Sequence, residues 1–177
     1  GAGAWPILAL REGERQRTGI VLATPGAAVA RVAAAGDRAA PALSLGFEAS
    51  LEAAEPLPGR PVDLTLPVIL KGSMEGYTWS QEMPSTSVRQ GTRVALEFRN
   101  MSPMAHPMHL HGHHFQVVAI DGRRVAGAVR DTVLVTPMST LTVVFDADNP
   151  GRWPLHCHNL LHMAAGMTTD LVYDGTS

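Results

Sequence analysis

From Pro61 onward the chain is written almost entirely in strand-length runs: VDLTLPVIL at 62–70, RVALEFRN at 93–100, HHFQVVAI at 113–120, DTVLVT at 131–136 and TLTVVFDA at 140–147. Between them stand Gln90-Gly91, Asp121-Gly122, Thr136-Pro137 and Asn149-Pro150-Gly151, where glycine supplies positive φ and proline fixes its own. Val94, Leu96 and Phe98 alternate with Ala95, Glu97 and Arg99, the pattern of a strand with one buried face. Helical periodicity is nearly absent. An all-β, antiparallel Greek-key sandwich is therefore expected.

The 177 residues exceed one ordinary domain of about 100 to 150 residues and fall short of two. A single core with an additional segment fits that length. The additional segment is the beginning, where WPILALRE at 5–12 and TGIVLA at 18–23 are short β-prone runs, followed by an alanine-rich, proline-punctuated stretch from Ala27 to Pro58.

Charged residues make up 17% of the chain and the net charge is −2, with no block of like charge to engage nucleic acid or a membrane surface. No apolar run approaches the roughly 20 residues of a spanning helix. The opening GAGAWPILALRE lacks a basic stretch leading into a secretory apolar core. A soluble chain without its own address is expected. Cys157, the only cysteine, excludes an internal disulfide and leaves its thiol to be explained.

All eight histidines fall in two short segments, HPMHLHGHH at 106–114 and HCHNLLH at 156–162, and Cys157 is inside the second. One lone imidazole is usually a satisfied core residue, but this many would leave buried donors without partners. Metal ligation explains the clustering.

Side chains alternate across a strand, so His156 and His158 face one way and Cys157 the other. One tripeptide can thus join two metal sites. His109 and His111 share a face, and His106, set apart by Pro107, is free to turn toward a different site. His162 and Met167 follow Cys157 across NLLHMAAGM, a segment able to form a turn of helix. His106, Cys157, His162 and Met167 make the two-imidazole, one-thiolate set with a weak axial thioether that a blue-copper electron-transfer site uses. Zinc accepts the same cysteine and histidines, but the thioether and the surplus histidines favour copper.

These residues, His106-Pro-Met-His-Leu-His-Gly-His113 and His156-Cys-His-Asn-Leu-Leu-His162 through Met167, resemble the multicopper oxidases, the family of laccases, bacterial cuprous oxidases and copper-resistance oxidases. The resemblance extends over about residues 68–174, including Met74 to Ser80, Arg130-Asp131-Thr132 and Pro150-Gly151-Arg152-Trp153. It implies a C-terminal cupredoxin-like sandwich and copper as cofactor. By the same resemblance, His106, Cys157, His162 and Met167 hold the type 1 copper, His109 the type 2 copper, and His111, His156 and His158 the type 3 pair. Single electrons from a small reducing substrate then pass through Cys157 and its flanking histidines to a three-copper cluster that reduces dioxygen to water.

In that family the other half of the cluster histidines come from an N-terminal domain. The resemblance accordingly makes residues 1–60 the tail of a preceding cupredoxin domain and a connector, and 61–177 the C-terminal domain. The isolated chain is expected to lack oxidase turnover, to partner the missing N-terminal domains, and to be able to pair with a second copy through the exposed interdomain face. A stand-alone mononuclear blue-copper carrier is the alternative, and it has no use for His109, His111, His156 and His158 facing together. A periplasmic or extracellular location follows from the resemblance alone.

His113 and His114 match no ligand position, and His113 is expected to support its neighbours by hydrogen bonding. Met101, Met104, Met108 and Met163 are expected to be packing residues rather than Cu(I) docking sites. Met163 stands where several bacterial members carry a glutamate. Asp131 is either an orienting partner for the type 1 ligands or a turn acceptor. Trp79 and Trp153 read as core.

Overall fold

The computed structural model describes residues 1–176 and divides the chain into two compact units, Gly1–Leu43 and the stretch from Ser44 onward. In the first unit, β1 (Ala4–Leu10) and β2 (Arg17–Ala23) form an antiparallel hairpin. Trp5 pairs with Leu22 and Ile7 with Ile20, and all four side chains are exposed.

The second unit opens with a short helix, α1 (Gly46–Ser50), and continues through β3 (Leu64–Ser73), β4 (Thr78–Glu82), β5 (Ser87–Val88), β6 (Arg93–Asn100) and β7 (His106–Leu110). Then come β8 (Phe115–Ile120), β9 (Arg123–Arg124), β10 (Val129–Arg130), β11 (Thr132–Val135), β12 (Thr140–Asp146) and β13 (Arg152–Cys157). A second short helix, α2 (Leu160–Ala164), leads into β14 (Thr168–Tyr173). One sheet runs β10-β8-β12-β6-β3-β4 with β9 beside β8, and the other runs β11-β7-β13-β14-β5. No helix among the described residues is long and apolar enough to cross a membrane.

The two sheets close over a core that includes Phe98, Phe115, Leu141, Phe145, Leu155 and Leu171, all fully buried. Strand β6 shows how the sequence sets this up: Leu96 and Phe98 are buried while Glu97 and Arg99 are exposed, so a one-residue slip would carry the apolar set into water. Mixed pairing departs from the purely antiparallel expectation. β3 runs parallel to β6, and β14 parallel to β5, because the chain enters each of these pairs by a crossover rather than a hairpin.

The stretch from Ser44 to Arg60, expected as a connector, is pinned to the sandwich. Leu57 N–H donates to Gln116 Oε1 at 3.1 Å, and the Arg93 guanidinium donates to Pro58 O at 2.9 Å. Arg93 is itself buried and grips both Asp146 oxygens at 2.8 Å, while Arg60 reaches the same carboxylate at 2.6 Å. Arg130 binds the buried Glu48 of α1 at 3.0 Å.

Candidate metal centre

Strands β7 and β13 lie side by side with His156 opposite His109 and Cys157 opposite Met108. In β7, His106, Met108 and Leu110 are buried and Pro107 and His109 are not. In β13, Leu155 and Cys157 are buried and His156 is only partly so. The same ladder therefore presents one set of ligating residues inward and another outward. Strand parity alone separates His106 from His109, and no turn at Pro107 is needed: β7 runs unbroken through it.

On the inner face His106, Cys157 and His162 converge, all three fully buried. The two Nδ1 atoms are 3.1 Å apart, and Cys157 Sγ lies 3.8 Å from His106 Nδ1 and 4.0 Å from His162 Nδ1. Bonds of about 2.0 Å to nitrogen and about 2.3 Å to sulfur, the lengths zinc makes with these donors, span such a triangle from a point near its plane. Two imidazoles and one thiolate in a near-planar set suit copper. The residues present fit the metal.

The loop that delivers these donors is closed by its own backbone. Cys157 N–H donates to Met167 O at 3.1 Å and Met167 N–H to His162 O at 3.0 Å, so β13, α2 and the start of β14 bring Cys157, His162 and the buried Met167 together. Asn159 N–H points at Cys157 Sγ, 3.4 Å away. Burial pushes the Cys157 thiol up and the Asn159 backbone N–H opposes that shift. Burial, reinforced by His162, pushes His106 down to about 4, so the imidazole is neutral at neutral pH and keeps a lone pair for a metal.

Further side chains hold the rings. Ser102 Oγ lies 2.6 Å from His106 Nε2, and the Asn159 side-chain amide 3.2 Å from His162 Nε2. Trp79 lies flat on His162 with ring centroids 3.9 Å apart and planes 22° apart, and it meets His106 edge-on at 5.4 Å. Trp79 is core, as expected, and also a wall of the site. Gly72 pairs with it across β3 and β4, and a Cβ there would strike the indole ring.

On the outer face His109, His111, His156 and His158 cluster. Ring centroids are 4.6 Å apart for His109 with His111 and with His158, and 5.0 Å for His111 with His156. His109 Nδ1–H donates to Asp131 O at 2.8 Å and lies 3.0 Å from Thr132 Oγ1. His156 Nδ1 is 3.1 Å from Cys157 O. His111 Nε2 and His156 Nε2 approach to 2.9 Å. Burial, followed by the neighbouring imidazoles, lowers both His111 and His158. His111 and His156 turn their ε-nitrogens toward one another, the atoms through which an imidazole can ligate a metal.

His113 is no part of either cluster. Its Nδ1–H donates to His111 O at 3.0 Å, and its Nε2 accepts from the Tyr173 hydroxyl at 2.6 Å, which steadies the chain beyond His111. Trp153 packs over Gly112, whose φ of 69° puts the backbone where a side chain would be strained and would meet the indole. Asp131 departs from one of its two expected roles: its carbonyl holds His109 and its carboxylate accepts from Thr132 Oγ1, both on the outer face, so it orients no inner-site histidine. Asn100, Ser102 and Asn159 are functional residues that sequence reasoning misses, because a lone serine or asparagine near a strand end carries no distinguishing pattern.

The sequence pattern of the family described as multicopper oxidase matches residues 58–177. The multicopper oxidase MmcO of Mycobacterium tuberculosis is 48% identical over 114 residues, covering 61% of this chain and 22% of that protein. The copper resistance protein A homolog of Pseudomonas syringae is 32% identical over 115 residues, covering 62% and 19%. Among solved structures, the McoA multicopper oxidase of Aquifex aeolicus superposes with a TM-score of 0.56 at 26% identity over 68% of this chain and 31% of that one. The chain thus spans about a fifth of the length of these two curated relatives. With the family pattern covering the entire sandwich and a copper-fitting donor set at its centre, the chain belongs to the multicopper oxidase family.

Proposed function

We propose that the chain works as the C-terminal domain of a longer oxidase. Single electrons from a small reducing substrate would enter at a type 1 copper that His106, Cys157, His162 and Met167 would hold. The chain passes them to a three-copper cluster where dioxygen is reduced to water. In this reading His109 serves the type 2 copper and His111, His156 and His158 the type 3 pair, and N-terminal cupredoxin domains supply the remaining histidines.

The observation that carries the reading is the tripeptide His156-Cys157-His158, whose sulfur sits in the inner triangle while its imidazoles stand in the outer cluster. Copper at these positions supplies one-electron redox chemistry. The chain's own part is a short covalent path from Cys157 to either neighbouring histidine, a dry pocket around the thiolate, and neutral imidazoles ready to ligate. A mononuclear electron carrier is the second reading, favoured by the fact that His106, Cys157 and His162 all come from this chain; the outer cluster then has no task.

Dioxygen uptake separates the two. With a phenolic reductant and copper, the longer protein is expected to consume dioxygen and its Cys157→Ser variant to stop, while the present chain alone consumes none. Sustained uptake by this chain alone overturns the proposal, as does full uptake by the Cys157→Ser protein.

A further inference from the structure

His106 is held by a hydrogen-bond relay that runs away from the metal position into the core. His106 Nε2 lies 2.6 Å from Ser102 Oγ, and Ser102 Oγ lies 2.8 Å from Asn100 Oδ1. His106, Ser102 and Asn100 are all at most 1% exposed, so bulk solvent does not reach the relay.

The direction of the relay follows from counting donors and acceptors. Asn100 Nδ2 is surrounded by three carbonyl oxygens, of Met104 at 2.7 Å, Thr136 at 3.0 Å and Val135 at 3.1 Å. Only the NH2 end of the amide can face them, so the side chain cannot flip and Oδ1 must point at Ser102. Oδ1 accepts from Ser102 N–H at 2.9 Å and from the Ser102 hydroxyl. The hydroxyl proton has two acceptors away from the ring, Asn100 Oδ1 at 2.8 Å and Met104 O at 3.2 Å, and donated to either it leaves Ser102 Oγ only lone pairs for His106. With the hydroxyl turned to either of these acceptors, His106 Nε2 carries the proton, which leaves Nδ1 unprotonated and aimed into the triangle with Cys157 and His162.

We infer that Asn100 and Ser102 are positioning residues that lock His106 into the Nε2–H tautomer, presetting its Nδ1 lone pair for copper before the metal arrives. The inference rests on the reading of His106 as an Nδ1 ligand. It adds a cause for that reading: β6, which ends at Asn100, carries the device that chooses the donor atom on β7. A partner hydrogen-bonded to the far nitrogen of a ligating imidazole is worth about 10- to 100-fold in metal affinity in other sites.

The test uses the purified chain with Cu(II) alone as probe. In the metal-free protein, long-range 15N–1H correlation spectra of His106 are expected to place the proton on Nε2; a proton resident on Nδ1 overturns the inference whatever the variants do. Ser102→Thr keeps the hydroxyl and Ser102→Val has the same shape without it. The Thr variant is expected to match the parent, and the Val variant to bind Cu(II) about 10- to 100-fold more weakly, with an altered charge-transfer spectrum and a mixed His106 tautomer. A Val variant equal to the parent in affinity, spectrum and tautomer overturns the inference. Failure of the ligand reading looks different: His106→Ala then retains the parent's copper affinity and charge-transfer band, and the inference falls with it.

Discussion

His156 faces His109 across the β13–β7 ladder, while Cys157, the next residue, faces Met108 on the opposite side of the same sheet. Two metal positions follow from this one register. His106→Ala is expected to remove the thiolate-to-copper band while leaving metal binding at the outer histidines. His156→Ala is expected to keep that band and lower total bound copper. Absorption spectra alongside metal analysis check both, and loss of the band in His156→Ala would contradict the separation.

Trp79 is the wall on which His162 rests, and Gly72 makes room for it. Gly72→Ala forces the indole aside. The expected cost is about 1–3 kcal/mol of stability, as for other overpacked cores, together with a shift of the charge-transfer band as His162 loses its stack. Chemical denaturation and the copper spectrum measure the two effects separately.

Tyr173 donates to the buried His113, which in turn holds the carbonyl of His111. Tyr173→Phe leaves His113 Nε2 without its donor and is expected to cost about 1–3 kcal/mol. The inner triangle should be untouched, so stability falls while the blue band persists. Denaturation in urea, with the spectrum recorded at each step, tests this.

Asp146 is held below its ordinary value of 3.8, first by the hydrogen bond from Arg93 and then by Arg60. A depressed carboxylate contributes stability that is fully present above the unfolded value and is lost as pH falls below it. Stability is therefore expected to decline below about pH 4 more steeply in the parent than in Asp146→Asn, which should also be less stable at pH 7. Melting curves across the acid range up to neutrality for the metal-free proteins give the comparison.

The histidine and cysteine clusters are legible in the sequence because imidazoles and a thiol at alternating spacing, gathered in two short segments, would be costly to bury without a metal to share. Strands with alternating residues, such as Arg93–Asn100, are legible through their period. Thr78–Glu82 and Thr168–Tyr173 are not, since TWSQE and TTDLVY are short and mostly polar or irregular; their place comes from pairing with β3 and β13. The supports of the site are equally hidden. Asn100 acts on carbonyls of residues 35 and 36 positions away, and Ser102 on an imidazole of the next strand; no local pattern announces such partners. The face on which Asp131 works is hidden too, because register, and not spacing along the chain, places His109 beside it.

The most direct test is an anaerobic titration of the purified chain with Cu(II), following the visible spectrum and bound copper together. An intense thiolate-to-copper band is expected to grow to saturation with a single copper at His106, Cys157 and His162, and to be absent in Cys157→Ser. Copper uptake with no such band, at any loading, would contradict that expectation.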